Sequence, residues 1–473
     1  MSYIGVGLSS GDGQAQTQSQ PVGASSSFSG TPAPTLNLVT WDGPNDPENP
    51  KNWPASRKWM VFIPMSLFNL LSSMSSATVA PALEAIADDL KIRSQTLLIM
   101  SLSVYLLGSA IVPLVSSPLS EMYGRVIILS ASNILIAYRF LAGLGGAGPF
   151  GIGSGMNSDL FPPQDRWKAM AVFTLAPLIG TAIGPITGGF LVQYESWPWC
   201  FYVVSIAAAV VQLAAFLLLR ETYGPVLLRR KCARMRKTTG NPDLYTEYDG
   251  MSSTALLHKN LIRPFRLLAT QPIIQVLSLY LAYLNGILYL MVATFPDVWT
   301  TIYHESESIG SLNYLSLTVG MTIAMQLGTR IAGRVYQRLC ANNGGVARPE
   351  FRLPILCAGA CIVPIGLFWY GWSARQSIHW IMPNIGAAIY AGSTVVQLIC
   401  LFAASAMAAV MVLRSLLGFA LPLVAPSLYT TLGFAWGNSL LAFIAIFIGI
   451  PSPLFLWFYG ERLREKSTFA RDT

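Results

Sequence analysis

Charge is scarce in this chain. Asp, Glu, Lys and Arg make up only 11% of the 473 residues, where a soluble domain carries about a quarter. With 53% hydrophobic residues and a mean hydropathy of +0.51, that shortage excludes a water-soluble fold and points to an all-α, polytopic membrane protein. Histidine is rarer still: His258, His304 and His379 are the three. None lies at ligand spacing from an acid, which argues against a metal enzyme. The six cysteines, Cys200, Cys232, Cys340, Cys357, Cys361 and Cys400, show no metal-binding spacing. Cys357 and Cys361 fall one helical turn apart in an apolar run and suit packing. No G-x-x-x-x-G-K-[ST] run exists to cradle a nucleotide. The glycine-rich stretch Gly143–Gly155 lacks a lysine and is apolar. No cofactor, no metal, no enzymatic activity and no nucleic-acid partner are therefore expected. No carboxylate occupies the middle of an apolar run either, so the group that would titrate inside the membrane is unassigned. Asp297, after Phe295-Pro296, is the best of the acids near a run's end.

What is present is a series of apolar runs, most of them near the length of about 20 residues that a crossing needs. They fall near 59–82, 96–117, 126–158, 168–192, 198–219, 272–296, 309–332, 353–373, 378–400, 403–427 and 436–458. Before them, the Ser-, Gly- and Gln-rich start has no signal-peptide core. Residues 1–57 are expected to be a disordered tail ending in a stretch dense in Pro, Asn and Asp, whose tryptophans suit the membrane interface. A basic connection at 220–271 divides the chain into helix bundles at 58–219 and 272–458, with a tail at 459–473. If both termini and the 220–271 connection are cytoplasmic, nearly all Lys and Arg residues outside the membrane fall inside. Only Lys91, Arg93 and Arg375 fall outside.

The stretch Leu175–Phe190 places Gly180, Gly184 and Gly188 four residues apart, hence on one helix face, beside Pro185. Such a stripe lets a second helix approach backbone to backbone in lipid. It serves ordinary packing or the bending of a transporter equally well. Arg139-Phe-Leu-Ala-Gly143 in the first half faintly echoes Arg414-Ser-Leu-Leu-Gly418 in the second. Paired bundles around a central site make a transporter architecture.

Pro118-Leu-Ser-Glu-Met-Tyr-Gly-Arg125, Arg139-Phe-Leu-Ala-Gly-Leu-Gly-Gly146 and Gly180-x-x-x-Gly184-Pro185-x-x-Gly188-Gly189 resemble, in order, the signatures after the second, in the fourth and in the fifth helix of major facilitator transporters. Trp41-Asp-Gly-Pro-Asn-Asp-Pro-Glu-Asn-Pro-Lys-Asn-Trp53 is similar to a stretch of their fungal drug:proton antiporter branch. The resemblance covers residues 39–470. It implies a major facilitator fold of two six-helix bundles, proton-driven export of small organic molecules (drugs, polyamines or secondary metabolites) and a monomer in the plasma membrane, with the vacuolar membrane as the alternative.

On that resemblance Glu121, Gly124, Arg125, Arg139, Asp159 and Arg166 are gating and coupling candidates. Gly180, Gly184, Pro185, Gly188 and Gly189 form the antiporter motif. Asn69, Tyr280, Tyr283, Asn285, Gln326 and Arg414 are candidates for a substrate cavity. The chain also departs from the family. Only Val126–Tyr138 separates Arg125 from Arg139, too few residues for a third helix and the start of a fourth. The polar break before the eleventh helix is missing, and Gly333 stands where an acid is usual. These gaps read as excised segments, leaving 11 to 12 helices and a truncated third/fourth pair. The expectation is a transporter that works poorly. The alternatives are a non-transporting paralogue, the product of a mis-spliced gene, or a membrane sensor.

Overall fold

A computed structural model describes residues 37–123, 146, 148–162, 165–249, 265–266, 268–344, 348–400 and 407–465. The first half contains α1 (Ala55–Ala77), the short α2 (Leu83–Asp89), α3 (Gln95–Tyr123), α4 (Gly148–Leu160), α5 (Arg166–Tyr194) and α6 (Trp199–Leu218). The basic α7 (Gly224–Thr239) follows on the face where the chain begins. The second half contains α8 (Pro272–Asp297), α9 (Glu307–Leu312), α10 (Leu315–Asn342), α11 (Leu353–Ser373), α12 (Ile381–Cys400), α13 (Met407–Gly449) and α14 (Pro451–Glu465). Gly433, at φ 73° and ψ 169°, breaks α13 into two antiparallel-capable arms, a left-handed conformation that glycine adopts without a Cβ clash. We call the face that carries residues 37–54 and α7 the near face and its opposite the far face.

The glycine stripe decides how α1 and α5 meet. A Cβ on Gly180 would lie 2.4 Å from the Leu70 carbonyl oxygen, one on Gly184 2.6 Å from that of Met74, and one on Gly188 2.1 Å from that of Thr78. Each step of four on α5 therefore matches a step of four on α1, and the two backbones touch. Gly189 points elsewhere: its Cβ would lie 2.6 Å from Ser311 in α9 of the other half. Three glycines thus serve packing within the first half and the fourth lets the halves approach.

Lipid supplies no water to a freed backbone group, so each proline inside a helix needs a substitute donor for the carbonyl four residues back. Pro177 frees the Phe173 carbonyl, and the buried Asn69 amide donates to it at 3.2 Å. Pro296 frees the Val292 carbonyl, and the Tyr314 hydroxyl donates to it at 2.6 Å.

The α4 helix ends on the near face, where Phe161 packs edge-on to Trp59 and Phe62 at the start of α1. On the side away from that end, a Cβ on Gly146 would clash with Tyr105 and Ser72. Both α3 and α4 therefore end on the near face, and α5 starts there, in keeping with the placement of basic residues. Gly124, Arg125 and Arg139 lie outside the described residues, as does the side chain of Glu121.

The tail expected through residue 57 is ordered from Asn37. It docks on α7. Leu38 and Tyr245 form a parallel β-bridge. Asp46, 3% exposed, accepts from the backbone N–H groups of Asp42 and Glu48, each at 2.8 Å. The Lys231 ammonium lies 3.1 Å from Asp46 and 2.8 Å from Asp42. Burial alone would raise the Asp46 carboxyl; the two backbone N–H groups and Lys231 outweigh it and hold it below 3.8. Burial likewise opposes the charge on Lys231, and the two aspartates outweigh it, raising the ammonium above 10.5.

Two outcomes follow from this packing. Gly188→Val should cost at least about 3 kcal/mol in reversible unfolding from detergent micelles, because backbone rather than a flexible side chain blocks the new methyls. Lys231→Met should release residues 37–54, read as faster amide exchange there, because it strands a buried carboxylate. In the unaltered chain the Asp46 contribution to docking is complete above pH 3.8 and falls as pH drops through the lowered folded value. The Lys231 contribution is complete below pH 10.5 and is lost as pH rises through the raised one.

Candidate functional site

The halves are sealed at the far face. One continuous buried cluster runs from Ala77, Leu83 and Ile86 through Ile99 and Leu102 to Leu290, Phe295 and Trp299. Hydrogen bonds reinforce it: the Ser308 N–H donates to Gln193 at 2.9 Å, and the Thr318 hydroxyl donates to the Leu178 carbonyl at 3.1 Å. Burial raises the carboxyl of Glu305 in the loop above, against the Asn313 amide that donates to it at 2.9 Å.

Below this seal, at middle depth, a cavity of about 110 Å³ lies between α1, α3, α8 and α13. Leu106 of α3 and Met411 of α13 line it together with polar side chains: Ser72, Ser73 and Ser76 from α1, Tyr105 and Ser109 from α3, Asn285 and Tyr289 from α8, and Arg414 and Ser415 from α13. A second lobe of about 90 Å³ opens toward α5, α10 and α12 and is lined by Leu178, Leu281, Leu284, Leu288, Met321 and Leu398 among others. Asn285 and Arg414 belong to both lobes.

Arg414 and Asn285 hold one another. The Arg414 guanidinium donates to Asn285 Oδ1 at 3.0 Å, and the Asn285 amide donates to the Arg414 carbonyl at 3.0 Å. A second contact of the guanidinium is to the Met411 thioether at 3.7 Å. Glycine at 418 makes room for the pair: a Cβ there would lie 3.0 Å from the Asn285 amide nitrogen. On the opposite wall the Ser72 and Tyr105 hydroxyls bond at 2.9 Å. Tyr289 reaches across the halves to Ser76 at 3.3 Å.

Of the residues expected in a cavity, Asn285 and Arg414 line it. The other four are elsewhere. Asn69 is consumed by the Phe173 carbonyl. Tyr280 is fully buried in the core of the second half, against Gly449. Tyr283 donates to the Leu441 carbonyl at 2.7 Å. Gln326 is exposed on α10 and belongs to neither lobe. The reason is rotational: polar residues in one run point to different sides of a helix, and only packing selects the side. Tyr105, Ser76, Tyr289 and Gly418 were missed. Their one signal was a hydroxyl, or a small residue, in mid-run.

Among the gating candidates, Arg166 caps the end of α4. It donates to the Phe161 carbonyl at 3.0 Å and to that of Ser158 at 3.2 Å, as suits a cation at a helix C-terminus. Asp159 sits in the last turn of the same helix.

Residues 126–422 match the Major Facilitator Superfamily family. The chain is 44% identical over 462 residues to efflux pump vrtL of Penicillium aethiopicum, covering 92% of each chain. It is 41% identical to efflux pump radE of Floropilus chiversii, covering 92% of this chain and 86% of that one. Among solved structures, the partially occluded, inward-open xylose transporter XylE from E. coli superposes with a TM-score of 0.62. It covers 86% of this chain and 98% of its own at 14% identity, a likeness of fold. The chain belongs to the Major Facilitator Superfamily: it is a multi-pass membrane transporter of the major facilitator fold, with efflux pumps among its relatives.

The Arg414–Asn285 contact makes a measurable prediction. A cycle of Arg414→Gln, Asn285→Ala and the double variant, read by unfolding in micelles, should give a coupling of about 1 kcal/mol. A value near zero would mean that the two side chains hold their places independently.

Proposed function

We propose that this protein exports small organic molecules by alternating access, drawing on a proton gradient, as a monomer in the plasma membrane with both termini cytoplasmic. The observation that carries the reading is the two-lobed cavity between the halves at middle depth, under a far-face seal. A carrier needs such a site, reachable from one side at a time. The efflux pumps among its relatives support the direction of transport. The excess of Lys and Arg on the near face supports the orientation. No carboxylate lines either lobe, so proton coupling would draw on groups outside them. Asp297, at the far-face end of α8, and Glu84 each stand eight residues in sequence from a cavity residue, Tyr289 and Ser76.

A second reading has its own observation. Only Val126–Tyr138 separates Arg125 from Arg139, fewer residues than a third helix and the start of a fourth need. On this reading the chain is a paralogue that no longer transports.

Reconstitution decides between them. In proteoliposomes with an imposed pH gradient, the 473-residue chain should move at least one member of a panel of acidic, neutral and cationic fluorescent naphthalenes. A protonophore should abolish that movement. Folded protein that moves none of them above empty liposomes would favour the non-transporting paralogue.

A further inference from the structure

We infer that the cavity is built for an organic anion, an aromatic or aliphatic acid whose carboxylate or phenolate sits on Arg414. The inference rests on the export reading above and narrows its cargo.

The starting point is an uncompensated charge. Arg414 stands at middle depth with two side-chain partners, the amide oxygen of Asn285 and the sulfur of Met411, both neutral. Among the described residues no carboxylate comes within ion-pair distance of it. The ion pairs found, such as Lys231–Asp46 and Arg234–Glu48, lie on the near face. Residues 124–145 and 401–406, outside the described ones, contain no Asp or Glu. Along the cavity helices the nearest acids are Glu84, Glu121 and Asp297. Each stands at least eight residues, about 12 Å of helix, from the last cavity residue of its own segment. A guanidinium at that depth normally pairs with an acid or marks the path of a substrate. Among the described residues no acid takes that place.

The rest of the site suits the same cargo. The same cavity is lined by the hydroxyls of Ser72, Ser76, Tyr105 and Tyr289; Tyr105 donates to the Ser72 carbonyl, Ser76 to the Ser73 carbonyl and Tyr289 to the Ser76 hydroxyl, so they add polarity and no second charge. Beyond Arg414 the second lobe is lined mainly by leucine and methionine side chains, a place for a hydrocarbon body. Asn285 and Arg414 line both spaces, so an acidic head on the guanidinium has apolar side chains within reach for the rest of the molecule. A cationic amphiphile would bring its charge against Arg414 with no carboxylate to hold it.

The test separates binding from transport. The purified full chain in nanodiscs is titrated with three probes of one shape: 2-naphthoate, 2-naphthamide and 2-naphthylmethylammonium. The naphthoate should bind at least tenfold more tightly than either of the others. Arg414→Gln should erase that preference, and Arg414→Lys should keep part of it. A cooperative unfolding transition checks that each variant is folded. If Arg414→Gln does not fold, the three-probe comparison on the unaltered chain still decides. Equal affinity for the three, or tighter binding of the ammonium or the amide, would overturn the inference. So would a folded Arg414→Gln chain that keeps its preference for naphthoate. The two readings fail differently. Selective naphthoate binding without gradient-driven movement defeats export and leaves the anion site. Movement of the ammonium or the amide without preference for naphthoate defeats the anion site and leaves export.

Discussion

The backbone contact between α1 and α5 is the constraint from which the rest of the site follows. Gly180, Gly184 and Gly188 fix α1 against α5 through the carbonyls of Leu70, Met74 and Thr78. With that face of α1 occupied, Ser72, Ser73 and Ser76 are left to line the cavity. The contact also fixes the height of α5, which sets Gly189 against Ser311 and Gln193 against Ser308 where the halves close. Burial of apolar area is a poor source of such specificity in lipid, where tails are as apolar as leucine. Close approach of backbones, which only glycine permits here, takes its place.

A second constraint is that polar groups inside the membrane must find partners in the protein. It explains why most of the polar side chains buried in the runs are structural. Asn69 and Tyr314 each serve a carbonyl that a proline has freed. Tyr283 and Tyr390 each donate to a carbonyl of a neighbouring helix. Against this background the Arg414–Asn285 pair stands apart: it is held by neutral groups, carries a full charge and faces both lobes. The cavity takes its character from Arg414, the charged residue in its lining.

The near face is organised by a different physics, because water is available there. The segment from Trp41 to Trp53 wraps a buried Lys231–Asp46 pair and a more exposed pair of Arg234 with Glu48. Its prolines and asparagines prevent a helix and leave carbonyls free, and Asn52 and Trp53 donate to those of Pro44, Asp46 and Pro47. The result ties the chain's beginning to the connection between the two halves.

The sequence by itself determined the membrane class, the places of the apolar runs, the division into halves and the glycine stripe. Each depends on composition or on a period along a single helix, and both are local properties. It also placed Asn285 and Arg414 inside runs where polar groups are costly. It did not tell Asn285 from Asn69, or Tyr289 from Tyr280, because neighbouring helices decide which flank of a helix meets a cavity. It did not foresee that residues 37–57 are ordered, since the partner of Asp46 is Lys231, 185 residues away. Only the tertiary structure decided that Arg414 faces a cavity with no carboxylate beside it, because the absence of a counter-charge belongs to the space around a residue rather than to the chain.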